Sequence, residues 1–377
     1  LFFHYMKQLH LFYPENDLAL AAGVANYTAP AAAVALRRAG SDLPLWYAGS
    51  PSDAFITAGF NAARYERLQN IFGKLPEPVQ EVSGGYAPAP WGWSAASRRL
   101  MALYGVEESF LPSDKAIERI RMLSHRRTAA QIGRRLAACM PFPVNPAVEI
   151  SDIATLEKFL AGTPQAVLKS PWSSSGRGVV FVNKDSHAAA IRNASGIIRR
   201  QGSVMAEAFY KRAADFAMLF EMDSDGICRH AGMSLFRTAP TGAYIGNILA
   251  SDTEIRASLG RYCDNAHLDA VAAALPAILT DIIGKDYSGP LGVDMLVSDN
   301  GDIVPCVEMN LRMTMGHVAR RFTDRFMASG CKGLYTVTPA TKAGADDDFS
   351  VFNGRLCGGS IELCRSGAFS FRVSLDG

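Results

Sequence analysis

Apolar and polar positions along the chain switch between a strand-like and a helix-like period, and the order of the switches predicts a mixed α/β protein. Leu9-His-Leu-Phe-Tyr13 is a compact apolar run that reads as a buried strand, broken by Pro14-Glu-Asn-Asp17. Pro30 to Ala39 is alanine-rich and helical, with Gly40 placed as its C-cap. Pro44-Leu-Trp-Tyr-Ala48 predicts another short strand, residues 76 to 92 are rich in Pro and Gly and predict a loop, and Ser94 to Tyr104 returns to helical spacing. Strand, helix and strand in that order imply an open α/β unit with parallel pairing.

A boundary falls near Leu111-Pro112-Ser113. Ser113 caps a helix running to about Ser124, and Arg126 to Ala138 forms the next, stopped by Pro141-Phe-Pro143. Val167 to Lys169 and Val179 to Val182 are strands on either side of a Ser/Gly loop, followed by a helix from Ala188 to Arg200 and a strand at Val204 to Glu207. From Ala217 onward the pattern is antiparallel: Met218 to Met222, a turn at Asp223-Ser-Asp-Gly226, then Cys228 to Phe236. A long apolar helix spans Asn265 to Ile283. Leu291 to Val297 and Ile303 to Met309 form a hairpin around Asp299-Asn300-Gly301, and two strand-like runs follow Gly354.

Composition narrows the class. The 377 residues exceed one ordinary core, so two or three structural units are expected. Hydrophobic residues at 49%, charged residues at 20% and a net charge of +2 give no basis for bulk binding of nucleic acid or membrane. The cysteines number seven and no CxxC occurs, which argues against a disulfide framework or zinc site and fits a reducing cytoplasm. No apolar stretch reads as long enough to span a bilayer, and Leu1 to Tyr5 lacks the features of a signal peptide, leaving both Leu1 and Met6 open as the start.

The candidate chemistry lies in the late hairpin. Glu308 and Asn310 are two apart on one strand and share a face. Asp294 on the partner strand joins them only if an odd-length loop or a bulge sets the register, and Pro305 is a natural bulge position. Two carboxylates and a carboxamide are hard oxygen ligands that suit Mg²⁺. Arg312 follows, offering a planar fork to phosphate or an anionic intermediate. Upstream, Lys169 precedes Ser173-Ser174-Ser175-Gly176-Arg177-Gly178, a loop of small residues whose N–H groups can approach phosphate. It is not the Walker pattern, and a surface hairpin is its structural alternative. Val204 to Tyr210 carries Glu207 and is either a plain core strand with an exposed acid or a strand that meets an adenine edge, with Asp215 then able to hold ribose hydroxyls. Glu15, Asn16 and Asp17, after the first strand, are either substrate-selecting or a capped turn.

In order and spacing these pieces resemble the ATP-grasp superfamily, over roughly residues 113 to 330. The resemblance implies a nucleotide held by Arg126, Lys169, the loop Ser173 to Gly178, a hinge Glu207-Ala208-Phe209-Tyr210, and Asp215. It implies one or two Mg²⁺, with Mn²⁺ as a substitute, on Asp294, Glu308 and Asn310, and a catalytic role for Arg312 and Arg237. It implies an α/β N-terminal domain at residues 1–112, a small lobe at 113–206 and a large lobe at 207–377. The activity implied is ADP-forming ligation of a small-molecule carboxylate to an amine or other nucleophile through an acyl phosphate. A kinase on the same fold and a non-catalytic nucleotide-binding module are the rivals, and an oligomer is compatible with all three.

Overall fold

The computed structural model describes residues 6–173, 178–239, 244–340, 347–364 and 367–376. Strand β1 (Lys7–Leu11) buries Leu9 and Leu11 and pairs in parallel with a neighbour on each side. After it come helices α1 (Asn16–Ala22), α2 (Ala31–Ala39) and α3 (Pro44–Tyr47), strand β2 (Ala54–Ile56), helix α4 (Ala62–Phe72), strands β3 (Glu77–Val79) and β4 (Tyr86–Pro90), and helix α5 (Ala95–Leu103). The strands form a four-stranded sheet in the order β3-β2-β1-β4.

Two sequence expectations fail here. Pro44 to Tyr47 is a single helical turn, not a strand. All of its side chains are buried, so no alternation distinguishes the two states, and Pro44 sits at the helix start where its missing N–H costs nothing. Residues 76 to 92 contain β3 and β4 rather than a loop. Their prolines are tolerated because both strands lie at sheet edges. Gly40 does follow α2, but its φ is −96°. A Cβ there would come within 2.4 Å of the Phe12 ring and 2.8 Å of Phe371, so close packing excludes a side chain.

Helices α6 (Asp114–Leu123) and α7 (Arg126–Ala137) lead into a second sheet. The Ser113 side chain caps α6 by accepting from the Ala116 N–H. Next are β5 (Val148–Ile150), α8 (Ile153–Gly162), β6 (Ala166–Lys169), β7 (Val179–Val182), α9 (His187–Gln201) and β8 (Val204–Ala208). They form an antiparallel sheet, β5-β8-β6-β7, with α8 and α9 closing its core.

The third sheet has nine strands. It begins with β9 (Arg212–Met222), β10 (Cys228–Thr238) and β11 (Tyr244–Leu249). After α10 (Asp252–Leu259) and α11 (Asn265–Ile283) come β12 (Gly289–Ser298), β13 (Ile303–Asn310) and α12 (Met315–Phe326). Strands β14 (Gly333–Pro339), β15 (Asp348–Phe352), β16 (Arg355–Cys364) and β17 (Phe369–Leu375) complete it, in the order β13-β12-β9-β10-β11-β14-β17-β16-β15. Phe216, Met218 and Val293 on one face pack with α7 and α11. The segment Asn265–Asp286 is, against the sequence expectation, long and apolar enough to cross a membrane, with mean hydropathy 1.5. Leu268, Val271, Leu275 and Leu279 of that helix are buried against the sheet.

Helix α12 covers the opposite face. It shares a core with the parallel sheet and with β16 and β17. Trp46 stands at the junction: its ring lies 5.0 Å from Phe326 and 5.6 Å from Phe322, and its indole N–H donates to the Leu363 carbonyl at 2.9 Å. Replacing Trp46 with Ala is expected to cost about 3–5 kcal/mol in urea denaturation, whereas Val351→Ala on the exposed edge strand should stay within about 0.5 kcal/mol.

Candidate active site

The hairpin β12–β13 meets the geometric demand made by the sequence. Asp294 stands directly opposite Glu308, and Gly292 opposite Asn310. Near the turn, Val297 pairs with Ile303, so the turn itself sets the right parity. Between Asp294 and Leu296 the partner strand runs from Glu308 to Val304, and this bulge on β13, which contains Pro305, slides Glu308 to face Asp294. β13 is the edge of its sheet, where a proline and a bulge disturb no further neighbour.

Each group is held by a named partner. The Asn310 carboxamide donates to Asp294 Oδ2 at 2.9 Å, and its Oδ1 accepts from Arg312 Nη2 at 2.9 Å. Arg126, the first residue of α7, donates Nη2 to Glu308 Oε1 at 2.8 Å and Nη1 to the Ser170 carbonyl at 2.7 Å. Its Nη1 also reaches Ser173 Oγ. One guanidinium thus ties the Glu308 carboxylate to the start of the Ser/Gly loop. Lys169, at the end of β6, is buried and ion-pairs with Glu207 on the neighbouring β8. Phe209, just past β8, is exposed and meets the Phe181 ring edge to face at 6.0 Å. Its N–H donates to the Gln165 carbonyl at 3.0 Å, and the Tyr210 hydroxyl lies 3.4 Å from the Asn145 amide. Asp215 accepts from Thr238 Oγ1 at 2.8 Å and faces Arg212 at 3.5 Å. Ala208 ends β8, and the Gly178 carbonyl accepts from the Ser170 N–H at 2.9 Å. Ser174, Ser175, Gly176 and Arg177 lie outside the described residues.

Arg237 does not join this group. Strand alternation puts Phe236, not Arg237, on the face of Asp215 and Asp294. Arg237 is exposed, and no ion pair of it occurs among the described residues. Asp17 shows the reverse. It receives the Arg312 fork, with Nη2 to Oδ2 at 2.6 Å and Nε to Oδ1 at 2.9 Å. Its neighbour Glu15 pairs with Arg37 at 2.6 Å, and Asn16 is fully buried. No short-range pattern announces a contact between residues so far apart in sequence. Cys306, in the β13 bulge, also looks like plain core in the sequence. Burial first, then the charges of Asp294 and Glu207, push its thiol pKa up.

The electrostatics follow from the register. Burial, then the facing Glu308, raise the Asp294 pKa to about 7, against the pull of Arg312 and the Asn310 hydrogen bond. Arg312 is also buried, which opposes its charge, but Asp17, Glu308 and Asp294 outweigh that and raise its pKa. A divalent cation would relieve the opposed carboxylates. Among the described residues no group of three or more His, Cys, Asp or Glu could hold a metal. Two carboxylates and one carboxamide fit Mg²⁺, which completes its octahedron with water and phosphate oxygens.

No protein-family model matches the chain, and no curated protein matches it. Solved structures do. A biotin carboxylase βγ-ATP complex from Campylobacter jejuni aligns with TM-score 0.53 at 13% identity, over 98% of this chain and 87% of the other. The biotin carboxylase domain dimer of Hydrogenobacter thermophilus 2-oxoglutarate carboxylase, in complex with MgADP, ADP and bicarbonate, aligns with TM-score 0.51 at 12% identity, over 99% and 86%. At such identities the likeness is one of fold.

A carboxyl held above its unfolded value of 3.8 stabilises the folded state at low pH, and that contribution is lost as pH rises toward about 7. Without divalent cation, Asp294→Asn is therefore expected to raise the melting temperature relative to the parent protein at pH 8. The difference should shrink toward pH 4, as followed by circular dichroism.

Proposed function

We propose, from the ATP-grasp fold that the chain shares with those carboxylases, that it is an ATP- and Mg²⁺-dependent ligase. It would join a small-molecule carboxylate to an amine or other nucleophile and release ADP and phosphate. The observation that carries this reading is the facing of Asp294 and Glu308, with Asn310 beside them, tied through Arg126 to the start of the Ser/Gly loop. A module that only bound nucleotide would not need opposed, half-buried acids, which cost folding energy.

In this reading Lys169, Arg126 and the loop from Ser173 to Gly178 bind the phosphates. The strand end Glu207-Ala208-Phe209-Tyr210 meets the base, and Asp215 meets the ribose. Asp294, Glu308 and Asn310 hold one or two Mg²⁺, which would neutralise phosphate charge and orient the γ-phosphoryl group. The acceptor carboxylate attacks the γ-phosphorus, ADP leaves, and the nucleophile then displaces phosphate from the acyl phosphate. The protein's share is positioning and charge neutralisation, as in phosphoryl transfer generally. Arg126 and Lys169 are already engaged by carboxylates, so a triphosphate must draw each cation from its present partner.

The test is an assay with Mg·ATP and pooled small carboxylates, with and without amines. Amine-dependent phosphate release is the expected result. A stable phosphoester would replace ligase by kinase, and nucleotide binding without turnover in any pool would overturn the enzymatic reading. Glu308→Ala is expected to abolish Mg²⁺-dependent turnover while leaving the circular dichroism spectrum unchanged. Parent rates in that variant would refute the metal assignment.

A further inference from the structure

The guanidinium of Arg312 has little left to offer a ligand. Of its five N–H groups, Nε–H serves the Asp17 carboxylate. One Nη2 hydrogen serves Asp17 and the other Asn310 Oδ1, and one Nη1 hydrogen serves the Met313 carbonyl at 2.9 Å. A single N–H remains, on a side chain that is 16% exposed. An arriving anion would find no fork, and the anion-binding role expected of Arg312 requires Asp17 to leave first.

The surroundings make that departure costly. The backbone next to Arg312 is clamped by the N-terminal unit: Met313 N–H donates to the Trp91 carbonyl at 2.8 Å, and Gly92 bridges to Arg312. A Cβ on Gly92 would stand 2.8 Å from Arg312 Cβ and 2.6 Å from Asn16 Nδ2, so only glycine allows this approach. The Asp17 side chain is itself only 18% exposed. Beyond Arg312 the contacts continue. Asn310 presents Oδ1 to Arg312 and Nδ2 to Asp294, so Arg312 fixes which way round the carboxamide sits.

We propose that Asp17 is a positioning residue for the metal site, acting through Arg312 to orient Asn310 beside Asp294. The inference rests on the ligase reading, because Asn310 matters to a metal only if the hairpin holds one. It assigns Asp17 a task other than substrate selection. The N-terminal unit would then set metal affinity from outside the ligand shell, as groups that hold a ligand in orientation do generally.

The experiment titrates the full chain with Mn²⁺ in the presence of a non-hydrolysable ATP analogue, reading free Mn²⁺ by electron paramagnetic resonance. Binding of the analogue is measured separately in EDTA. Asp17→Asn, which keeps the shape and removes the charge, is expected to weaken Mn²⁺ binding about tenfold or more. Its analogue affinity in EDTA should equal that of the parent chain. Arg312→Lys should lose a similar amount, and the double variant should be little worse than either single one, since the two act as one unit. Unchanged Mn²⁺ affinity in Asp17→Asn would overturn the inference. So would unchanged Mn²⁺ affinity with a lowered KM for the acceptor, which would make Asp17 a placeholder for an acceptor anion. A parent chain that binds the analogue but no Mn²⁺ would remove the ligase reading and this inference with it.

Discussion

Two carboxylates facing each other across adjacent strands constrain everything around them. Like charges directly opposite destabilise a sheet, and burial of acids adds to the cost. The molecule answers by bringing counter-charge from distant parts of the chain. Arg126 arrives from the first turn of α7, and Arg312 from the segment just beyond β13, steadied in turn by Asp17 of the parallel unit. The hairpin is therefore where the antiparallel sheet, the Ser/Gly loop and the N-terminal unit are electrically joined.

Among the described residues, Lys169, Arg126 and Arg312 are each already paired. Lys169 leans on Glu207, Arg126 on Glu308, and Arg312 on Asp17. Such pairing keeps side chains in place and lowers the cost of burying them. It also sets a threshold for a ligand: anions enter by exchanging one ion pair for another rather than by filling a bare positive pocket. Discrimination then depends on geometry as much as on charge, because only a molecule that reaches several of these cations at once compensates for the exchanges.

Much of this was legible in the sequence where the signal was local. The Asn265–Ile283 helix, the Ser113 cap and the need for an odd-length turn or a bulge in the late hairpin follow from periodicity, capping chemistry and strand parity. The α/β class followed from the order of the elements. Failures occurred where one-dimensional signals are degenerate or where long-range pairing decides. Leu45-Trp46-Tyr47 is buried all round, so helix and strand look alike. Pro78, Pro88 and Pro90 spoke for a loop because edge position cannot be seen in one strand alone. Arg237 was placed one residue out of phase with its face, and the engagement of Arg312 by Asp17 joins residues that no motif links.

The aromatic junction around Trp46 bears on how the chain is made. Besides Phe72 of α4, its partners come from α12 and from Leu363 of β16, 317 positions further along the chain. During synthesis the parallel unit emerges before α12, β16 and β17, so its indole, Phe12 and Tyr47 have no finished surroundings until those later elements leave the ribosome. For most of translation that apolar surface stays open to chaperones and to misassociation. A nascent chain that stalled before β16 would be left with an uncovered hydrophobic seam, making premature termination products prime substrates for proteolysis.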